Sequence, residues 1–278
     1  MSVRLIAFDL DGTLLDDKKR LPPENAAALQ AARDKGIVLV PATGRILQAL
    51  PEGFAALGLF RYFIFANGAE VYDLQEGKRL FGAGIEPMLA AEVCRYMDEL
   101  PVLYDCYRGE WGYMTAWMYE QAPAYFGSEP EILKLVRRLR KPVPDLRENI
   151  LETNLPVEKL QMYFRPEDLP ERERQLKALP EHFPDLKASS SLKNNIEINS
   201  ADAGKGRALC ELCRLLSVRP DESAAFGDGL NDIELLQAAG IGCAMANAGD
   251  AVKRCADRIT ESNNDAGVGK EIFRMLSS

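Results

Sequence analysis

Short apolar runs alternate with amphipathic segments in the first third of the chain. The runs at 3–10 (VRLIAFDL), 37–42 (IVLVPA) and 62–66 (YFIFA) predict strands. Residues 23–36 have a proline near the start, many alanines and a final glycine, which predicts a helix with a glycine cap, and residues 45–57 predict another helix. Continuous apolar strands separated by helices indicate a parallel sheet that is covered on both faces.

The same alternation returns toward the C-terminus. The predicted elements there are a helix at about 205–217, a strand at 223–228, a helix at 230–239, a strand at 241–245, a helix at about 249–256, a brief strand at 258–260 and a last helix from about 267 to 276. The two ends of the chain therefore predict one doubly wound, Rossmann-like α/β core.

The middle of the chain differs from its two ends in composition and in hydrophobic pattern. It contains both tryptophans and many prolines, and short strand patterns alternate there with charged helical segments. We expect an inserted α+β cap domain at 83–190, acting as a lid, and a discontinuous α/β core formed by 1–82 and 191–278. The basic cluster RRLRK at 137–141 is interpreted as the solvated face of a helix, because acidic residues lie close by.

Composition narrows the class of protein. The chain has 278 residues, of which 47% are hydrophobic, and its formal net charge is −8. A nucleic-acid binder needs a basic footprint, so we expect no nucleic-acid partner. Neither a signal-peptide pattern nor an apolar run long enough for a membrane span is present, so we expect a cytoplasmic protein without a membrane partner. We expect a monomer or a weak homodimer.

The cysteines and the histidine limit the possible chemistry. The six cysteines predict reduced, packed thiols, since the CxxC pair Cys210 and Cys213 has no second pair or nearby histidine to complete a zinc site. The single histidine, His182, lies in a polar loop between prolines and is interpreted as a surface residue. Carboxylates must therefore carry any general acid–base catalysis.

Two acidic motifs follow predicted strands. FDLDGT at 8–13 places Asp9 and Asp11 on the same side of a strand end, where ligands bind in open α/β sheets. FGDGLND at 226–232 brings further acidic and amide side chains to another strand end. An Asp-Gly turn explains part of each motif, but a carboxylate at the end of an apolar run is costly to bury without a function. Clustered carboxylates favour a hard cation such as Mg²⁺.

Two further motifs suit phosphate binding. PATGR at 41–45 puts a hydroxyl residue and a glycine at a strand-to-helix junction, where backbone N–H groups can face an anion, although Thr43 is also a plausible N-cap. ADAGKG at 201–206 places Lys205 between glycines at a helix start. A lysine there is often only solvated, but beside phosphate and carboxylates it would balance charge.

Taken together, these motifs resemble the haloacid dehalogenase superfamily over nearly the whole chain. DxDGT, [ST]GR, GKG and GDGxND occur in the family's order, and the NGA at 67–69 followed by a large insert is similar to the Cof-like branch, subclass IIB. The resemblance implies a Mg²⁺-dependent phosphatase that acts on a small phosphorylated metabolite, such as a sugar phosphate, through a phospho-aspartyl intermediate.

The resemblance also implies roles for individual residues. Asp9 would attack phosphorus, and Asp11 would protonate the leaving alcohol and then activate water. Asp9 and Asp228 would bind Mg²⁺ by their carboxylates and Asp11 by its carbonyl. The remaining implied site residues are Gly12, Thr43, Gly44, Lys205 and Asn231 for phosphate, and Asp232 as a supporting group or a ligand of metal-bound water.

Some assignments stay open. Arg45 either reaches the substrate or pairs with a core carboxylate, and Asn67 either contacts substrate or only shapes the Asn-Gly turn. Substrate choice would depend on cap side chains, for which the candidates are Arg108, Trp111, Tyr113, Trp117 and Lys193. The alternatives to a phosphatase are a phosphomutase on the same scaffold and a catalytically silent protein that binds sugar phosphates.

Overall fold

The computed structural model describes residues 3–126 and 130–277. Its strands are β1 Leu5–Phe8, β2 Val38–Pro41, β3 Tyr62–Phe65, β4 Glu70–Asp73, β5 Lys78–Gly82, β6 Leu103–Arg108, β7 Trp111–Thr115, β8 Arg140–Val143, β9 Lys159–Tyr163, β10 Leu186–Ser189, β11 Asn195–Ser200, β12 Ser223–Gly227, β13 Ile241–Ala244 and β14 Arg258–Ile259. Its helices are α1 Pro23–Asp34, α2 Pro87–Asp98, α3 Ala116–Phe126, α4 Pro130–Leu139, α5 Leu146–Thr153, α6 Leu169–His182, α7 Lys205–Leu215, α8 Ile233–Ala238, α9 Asp250–Lys253 and α10 Gly267–Ser277.

The described residues form two compact units. The first contains 3–45, Leu50–Gly82 and 203–277, and the second contains Ile46–Ala49 and the described part of Ala83–Asp202. Each unit has its own hydrophobic core. The second unit is therefore an insertion that interrupts the first, as an autonomous core would allow.

A parallel sheet with the strand order β14-β13-β12-β1-β2 forms the centre of the first unit. Leu5 and Ala7 of β1 share a core with α7 and α8. Ile6 and Phe8 point to the opposite face, since side chains alternate along a strand, and all four residues are fully buried. Burial on both faces explains why β1 is continuously apolar, and the α/β fold class is confirmed.

The β3 strand begins a second, antiparallel sheet in this unit. It meets the end of β2 through a single parallel bridge between Ala42 and Ile64, and it then pairs with β4 and β5 in an antiparallel sheet. The rings of Phe63 and Phe65 stack beside it, and Phe60 meets Phe63 edge to face.

A mixed sheet with the order β10-β11-β9-β6-β7-β8 forms the second unit, and only the β7–β8 pair is parallel among the strand pairs of its described residues. One face carries apolar side chains such as Leu160 and Ile198, which belong to a core shared with α2, α5 and α6. The other face carries polar side chains, among them Asp105 and Gln161. This unit has the α+β composition expected of the insert.

The division between the units differs from the prediction in two places. Residues 46–49 are expected in the core, but Ile46–Ala49 lies in the second unit, because Ile46 and Ala49 pack with Tyr107 and Leu139. Residues 191–202 were expected in the core, but β11 pairs with β9 and β10, so this stretch lies in the second unit. An isolated strand pattern carries no information about which sheet the strand joins, because pairing is decided by tertiary contacts.

Two local predictions are wrong. The helix expected at 45–57 is replaced by short 3₁₀ turns at Leu47–Ala49 and Ala55–Leu57. Pro51 has no N–H for a helix, and Gly53 and Gly58 have positive φ angles of 74° and 68°. The cluster RRLRK is not wholly helical, because α4 ends at Leu139 and Arg140 begins β8.

Arg140 is buried rather than solvated. Its side chain is 2% exposed and donates from Nε to Asp105 Oδ2 at 2.8 Å and from Nη2 to the Tyr163 hydroxyl at 2.8 Å. Asp105 also accepts a hydrogen bond from Gln161 Nε2 at 2.9 Å. An internal ion pair therefore ties β8 to β6, two strands that are not neighbours in the sheet.

Within the residues that the structure covers, no helix combines the length and the apolar character needed to cross a bilayer.

We expect Arg140→Met to lower the free energy of unfolding by about 3–5 kcal/mol, because the buried Asp105 carboxyl would lose its ionic partner. The control is Lys134→Met, which removes an exposed ion pair with Glu131 and should cost less than about 1 kcal/mol. Urea unfolding of both variants measures the difference. Equal losses would contradict an internal role for Arg140.

Candidate active site

Three parallel strands end at one edge of the central sheet with polar residues. Asp9 directly follows β1, Thr43 lies two residues after β2, and Asp228 directly follows β12. Because β1 pairs in parallel with both β2 and β12, the carboxyl ends of these strands meet side by side. The backbone N–H of Asp9 donates to the Phe226 carbonyl at 3.0 Å, which fixes the register at this edge.

Lys205 joins two of the acidic groups. It is the first residue of α7, and its side chain has 0% exposure. Its Nζ donates to Asp9 Oδ1 and to Asp232 Oδ1, each at 2.6 Å. A buried ammonium needs such partners, since an unpaired charge in the interior is very costly. Lys205 thus fixes one oxygen of Asp9 in place.

The loop after β12 is held by its own side chains. Asp232 Oδ2 accepts hydrogen bonds from the N–H groups of Asp228 at 3.1 Å and Gly229 at 2.9 Å. The Thr13 hydroxyl donates to Asp228 Oδ1 at 2.7 Å. Because Lys205 donates to Oδ1 and the loop N–H groups donate to Oδ2, both carboxylate oxygens of Asp232 are engaged. Asp232 therefore positions the loop.

The carboxylates of Asp9, Asp228 and Asp232 offer oxygen atoms that all lie within 4.8 Å of one another. Burial, opposed by Lys205 and reinforced by Asp232, raises the pKa of Asp9 to about 8. Burial likewise raises the pKa of Asp228. Crowded, desolvated carboxylates with hard oxygen donors fit a small divalent cation, which would stabilise their ionised forms.

Asp11 faces a different set of partners. Arg45 donates to it from Nε at 2.7 Å and from Nη2 at 2.8 Å, and Lys19 Nζ lies 2.7 Å from its Oδ1. Burial alone would raise the pKa of Asp11, but the hydrogen bonds and charge of Arg45, with Lys19, outweigh it and lower the pKa to about 2. Arg45 therefore pairs with the carboxylate of Asp11, itself a predicted site residue.

Thr43 and Asn67 lie side by side. The Thr43 carbonyl accepts a hydrogen bond from the Asn67 N–H at 3.1 Å, and the Thr43 hydroxyl accepts one from the Arg45 N–H at 3.2 Å across Gly44. Asn231 Nδ2 donates to Asn67 Oδ1 at 3.3 Å. All the residues predicted at the site thus belong to one unit, and Asn67 contacts the loop after β12 rather than only shaping a turn.

The turn after β3 has an unusual backbone. Ala66, Asn67 and Gly68 have consecutive positive φ angles of 48°, 59° and 91°. A Cβ atom on Gly68 would stand 2.2 Å from the backbone of Gly204, immediately before Lys205. Only glycine permits this approach, and the turn therefore sets where α7 begins.

Sequence reasoning missed several supporting residues. Thr13 lies inside the first acidic motif, so the sequence could have indicated that it belongs to the site. Lys19 lies outside every motif, so nothing in the sequence pointed to it. Asn247 Nδ2 donates to the Gly12 carbonyl at 2.8 Å. Gly12 itself has a φ of 85°, and a Cβ there would stand 2.5 Å from Asp228 Oδ2, so its visible role is to let that carboxylate approach.

The candidate specificity residues lie in the second unit with different surroundings. Arg108 is buried, donates to Thr153 Oγ1 and Asn149 Oδ1 at 2.7 Å each, and lies over the Tyr113 ring. Trp117 is 58% exposed. Arg108 therefore links α5 to the sheet. His182 is exposed, as expected of a surface residue.

The site and the fold agree with one family. Residues 6–272 match the model of the haloacid dehalogenase-like hydrolases, so the chain belongs to this family. Similar proteins over the full length of the chain are phosphatases. The chain is accordingly a phosphatase of the Cof-like kind, an enzyme that hydrolyses phosphoric monoesters.

Three similar proteins illustrate this. The chain is 32% identical to 5-amino-6-(5-phospho-D-ribitylamino)uracil phosphatase YcsE of Bacillus subtilis (strain 168), over 98% of this chain and 95% of that protein. It is 30% identical to pyridoxal phosphate phosphatase YbhA of Escherichia coli (strain K12), over 99% and 100%. The structure of a haloacid dehalogenase-like hydrolase from B. subtilis superimposes with a TM-score of 0.79 at 30% identity, over 98% and 99%.

We expect Gly68→Ala to destabilise the protein by at least about 2 kcal/mol more than Gly77→Ala. Both glycines have positive φ, but the added methyl group meets the Gly204 backbone only at position 68, while the nearest atom at position 77 is 3.9 Å away. Chemical denaturation of the two variants separates the clash from the shared backbone strain. Equal losses would show that the close approach is not required.

Proposed function

We propose that the chain is a Mg²⁺-dependent phosphatase that hydrolyses a small phosphorylated metabolite through a phospho-aspartyl intermediate on Asp9. The observation that carries this proposal is the group of carboxylate oxygens from Asp9, Asp228 and Asp232 within 4.8 Å, with Lys205 bound to two of these residues. Such a group suits an anionic nucleophile that must approach an anionic phosphate.

In the first step, an oxygen of Asp9 forms a bond to phosphorus while the bond from phosphorus to the ester oxygen breaks. Lys205 holds the Asp9 carboxylate through Oδ1 and keeps it oriented. Asp11 gives a proton to the departing oxygen. Because Arg45 and Lys19 hold Asp11 as a carboxylate, this donation requires at least one of them to leave it when the substrate binds, so that Asp11 first takes up a proton from water.

In the second step, water attacks the phosphorus of the aspartyl phosphate and Asp11 accepts its proton. The products are inorganic phosphate and the regenerated Asp9 carboxylate. The lowered pKa of Asp11 favours its ionised form, which is the form that this step needs. The Thr43 hydroxyl, the Gly12 and Gly44 backbone, Lys205 and Asn231 are the groups proposed to hold phosphate oxygens.

The carboxylates of Asp9 and Asp228 would hold Mg²⁺, together with the Asp11 carbonyl. The ion would supply positive charge that offsets the repulsion between the nucleophile and the phosphate. Thr13 supports this arrangement by orienting Asp228 through its hydroxyl.

The named relatives support a small metabolite as substrate. YcsE is named for a phosphoribitylamino-uracil and YbhA for pyridoxal phosphate, so similar chains accept different leaving groups. Sugar phosphates are the first class to test, and the insert at 83–202 would be the lid that selects among them.

We expect Asp9→Asn to lower kcat for p-nitrophenyl phosphate by at least about 10³-fold while the circular dichroism spectrum is unchanged. The amide cannot act as the nucleophile, but it keeps the size of the side chain. Asp34→Asn, an equal charge change on the exposed side of α1, is the control. Near-normal turnover by Asp9→Asn would exclude Asp9 as the nucleophile.

We expect EDTA to lower the rate of phosphate release by at least about 10²-fold, and Mg²⁺ to restore it. Ca²⁺ should restore less, because it prefers longer bonds and more ligands. Phosphate release is measured without any bisphosphate activator, so that a phosphomutase would show little product. Activity that persists in EDTA would refute the metal-dependent mechanism.

A further inference from the structure

Lys19 lies beside the site in an unusual turn. Its backbone has a positive φ of 61°, a conformation that costs energy for a residue with a side chain. Its Nζ lies 2.7 Å from Asp11 Oδ1, and its side chain is 53% exposed. None of the motifs that define the family resemblance contains Lys19.

Asp16 holds this turn in place. One of its carboxylate oxygens accepts hydrogen bonds from the N–H groups of Lys18 and Arg20, each at 2.9 Å, and the other pairs with the Arg20 guanidinium at 2.7 Å. Its backbone also bonds to the backbone of Lys19 and Arg20. The turn is therefore organised before any ligand arrives, which lowers the entropic cost of using Lys19 in binding.

The location of Lys19 relative to a bound substrate follows from its contact with Asp11. If Asp11 transfers a proton to the leaving oxygen, as the proposed function requires, groups bonded to Asp11 lie on the leaving-group side of the reacting phosphate. Two cations, Lys19 and Arg45, meet the single Asp11 carboxylate there. The Asp17 carboxylate also lies within electrostatic reach of Lys19, but its oxygens accept hydrogen bonds from Asn263 and Asn264. An ammonium has three N–H donors, and the exposed side of Lys19 leaves room for a second acceptor.

We propose that Lys19 is a specificity-determining residue that favours phosphate monoesters whose leaving part carries a second anionic group, either a carboxylate or another phosphate. This inference rests on the proposed function and refines its substrate class. Attraction to an additional negative charge would act mainly on substrate binding, and salt would weaken it because Lys19 is half exposed.

The test compares substrates that differ in this charge. One pair is 3-phosphoglycerate and glycerol 3-phosphate, and the other is glucose 1,6-bisphosphate and glucose 6-phosphate. Lys19→Met should lower kcat/KM for the anionic member of a pair about three- to fivefold more than for the neutral member, through KM. A change shared by both members reports the contact of Lys19 with Asp11 and not the preference. For a compound that is not hydrolysed, its inhibition constant against p-nitrophenyl phosphate replaces KM.

Matched variants separate local from general effects. Lys18→Met makes the same charge change one residue away and should affect neither member, and Lys19→Arg should keep the preference. Asp16→Ala leaves Lys19 unchanged but removes its support, so it should reproduce the selective loss. A response to the carboxylate pair alone, or to the bisphosphate pair alone, would support the proposal and identify the anion.

Equal losses on both members, no loss on either, or the same loss with Lys18→Met would overturn the role of Lys19. Turnover of p-nitrophenyl phosphate by the unaltered protein is measured first. Its absence with Mg²⁺ present would mean that the proposed function itself has failed, which is a different result from unselective turnover.

Discussion

The buried ammonium of Lys205 is the constraint around which the site is organised. Removing a charge from water is costly, and close opposite charges offset that cost only when geometry is good. Asp9 after β1, Asp232 before α8 and Lys205 at the start of α7 must therefore meet within hydrogen-bond distance. Segments from three distant parts of the chain are held in one arrangement because each charge depends on the others.

Close backbone packing gives this arrangement its precision. Gly68 allows the left-handed turn after β3 to touch the residue before Lys205, and Gly227 allows Asp232 to fold back onto its own loop. Larger residues at either point would displace the charged groups they support. The glycines thus act on the chemistry indirectly, by leaving room for the Gly204 backbone and for the Asp232 side chain.

Much of the site could be predicted because its signals are local. Apolar runs that end in Asp9 and Asp228 identify strand ends, and parallel strands bring such ends together. The pairing of Lys19 with Asp11 could not be found in this way, since an exposed turn has no periodic pattern. The fold prediction failed where tertiary context decides, as with β11, which joins the sheet of the second unit, and at Pro51, which interrupts an otherwise helical pattern.

The segment Ile46–Ala49 belongs to the second unit although it follows Arg45 directly in the chain. Ile46 and Ala49 share a small apolar cluster with Tyr107 and Leu139. Exchanging residues 83–202 for the insert of a relative would thus replace Tyr107 and Leu139, the partners of Ile46 and Ala49 in this cluster. A chimaera that transplants both pieces together would preserve that cluster, so the natural unit of recombination in this chain is discontinuous.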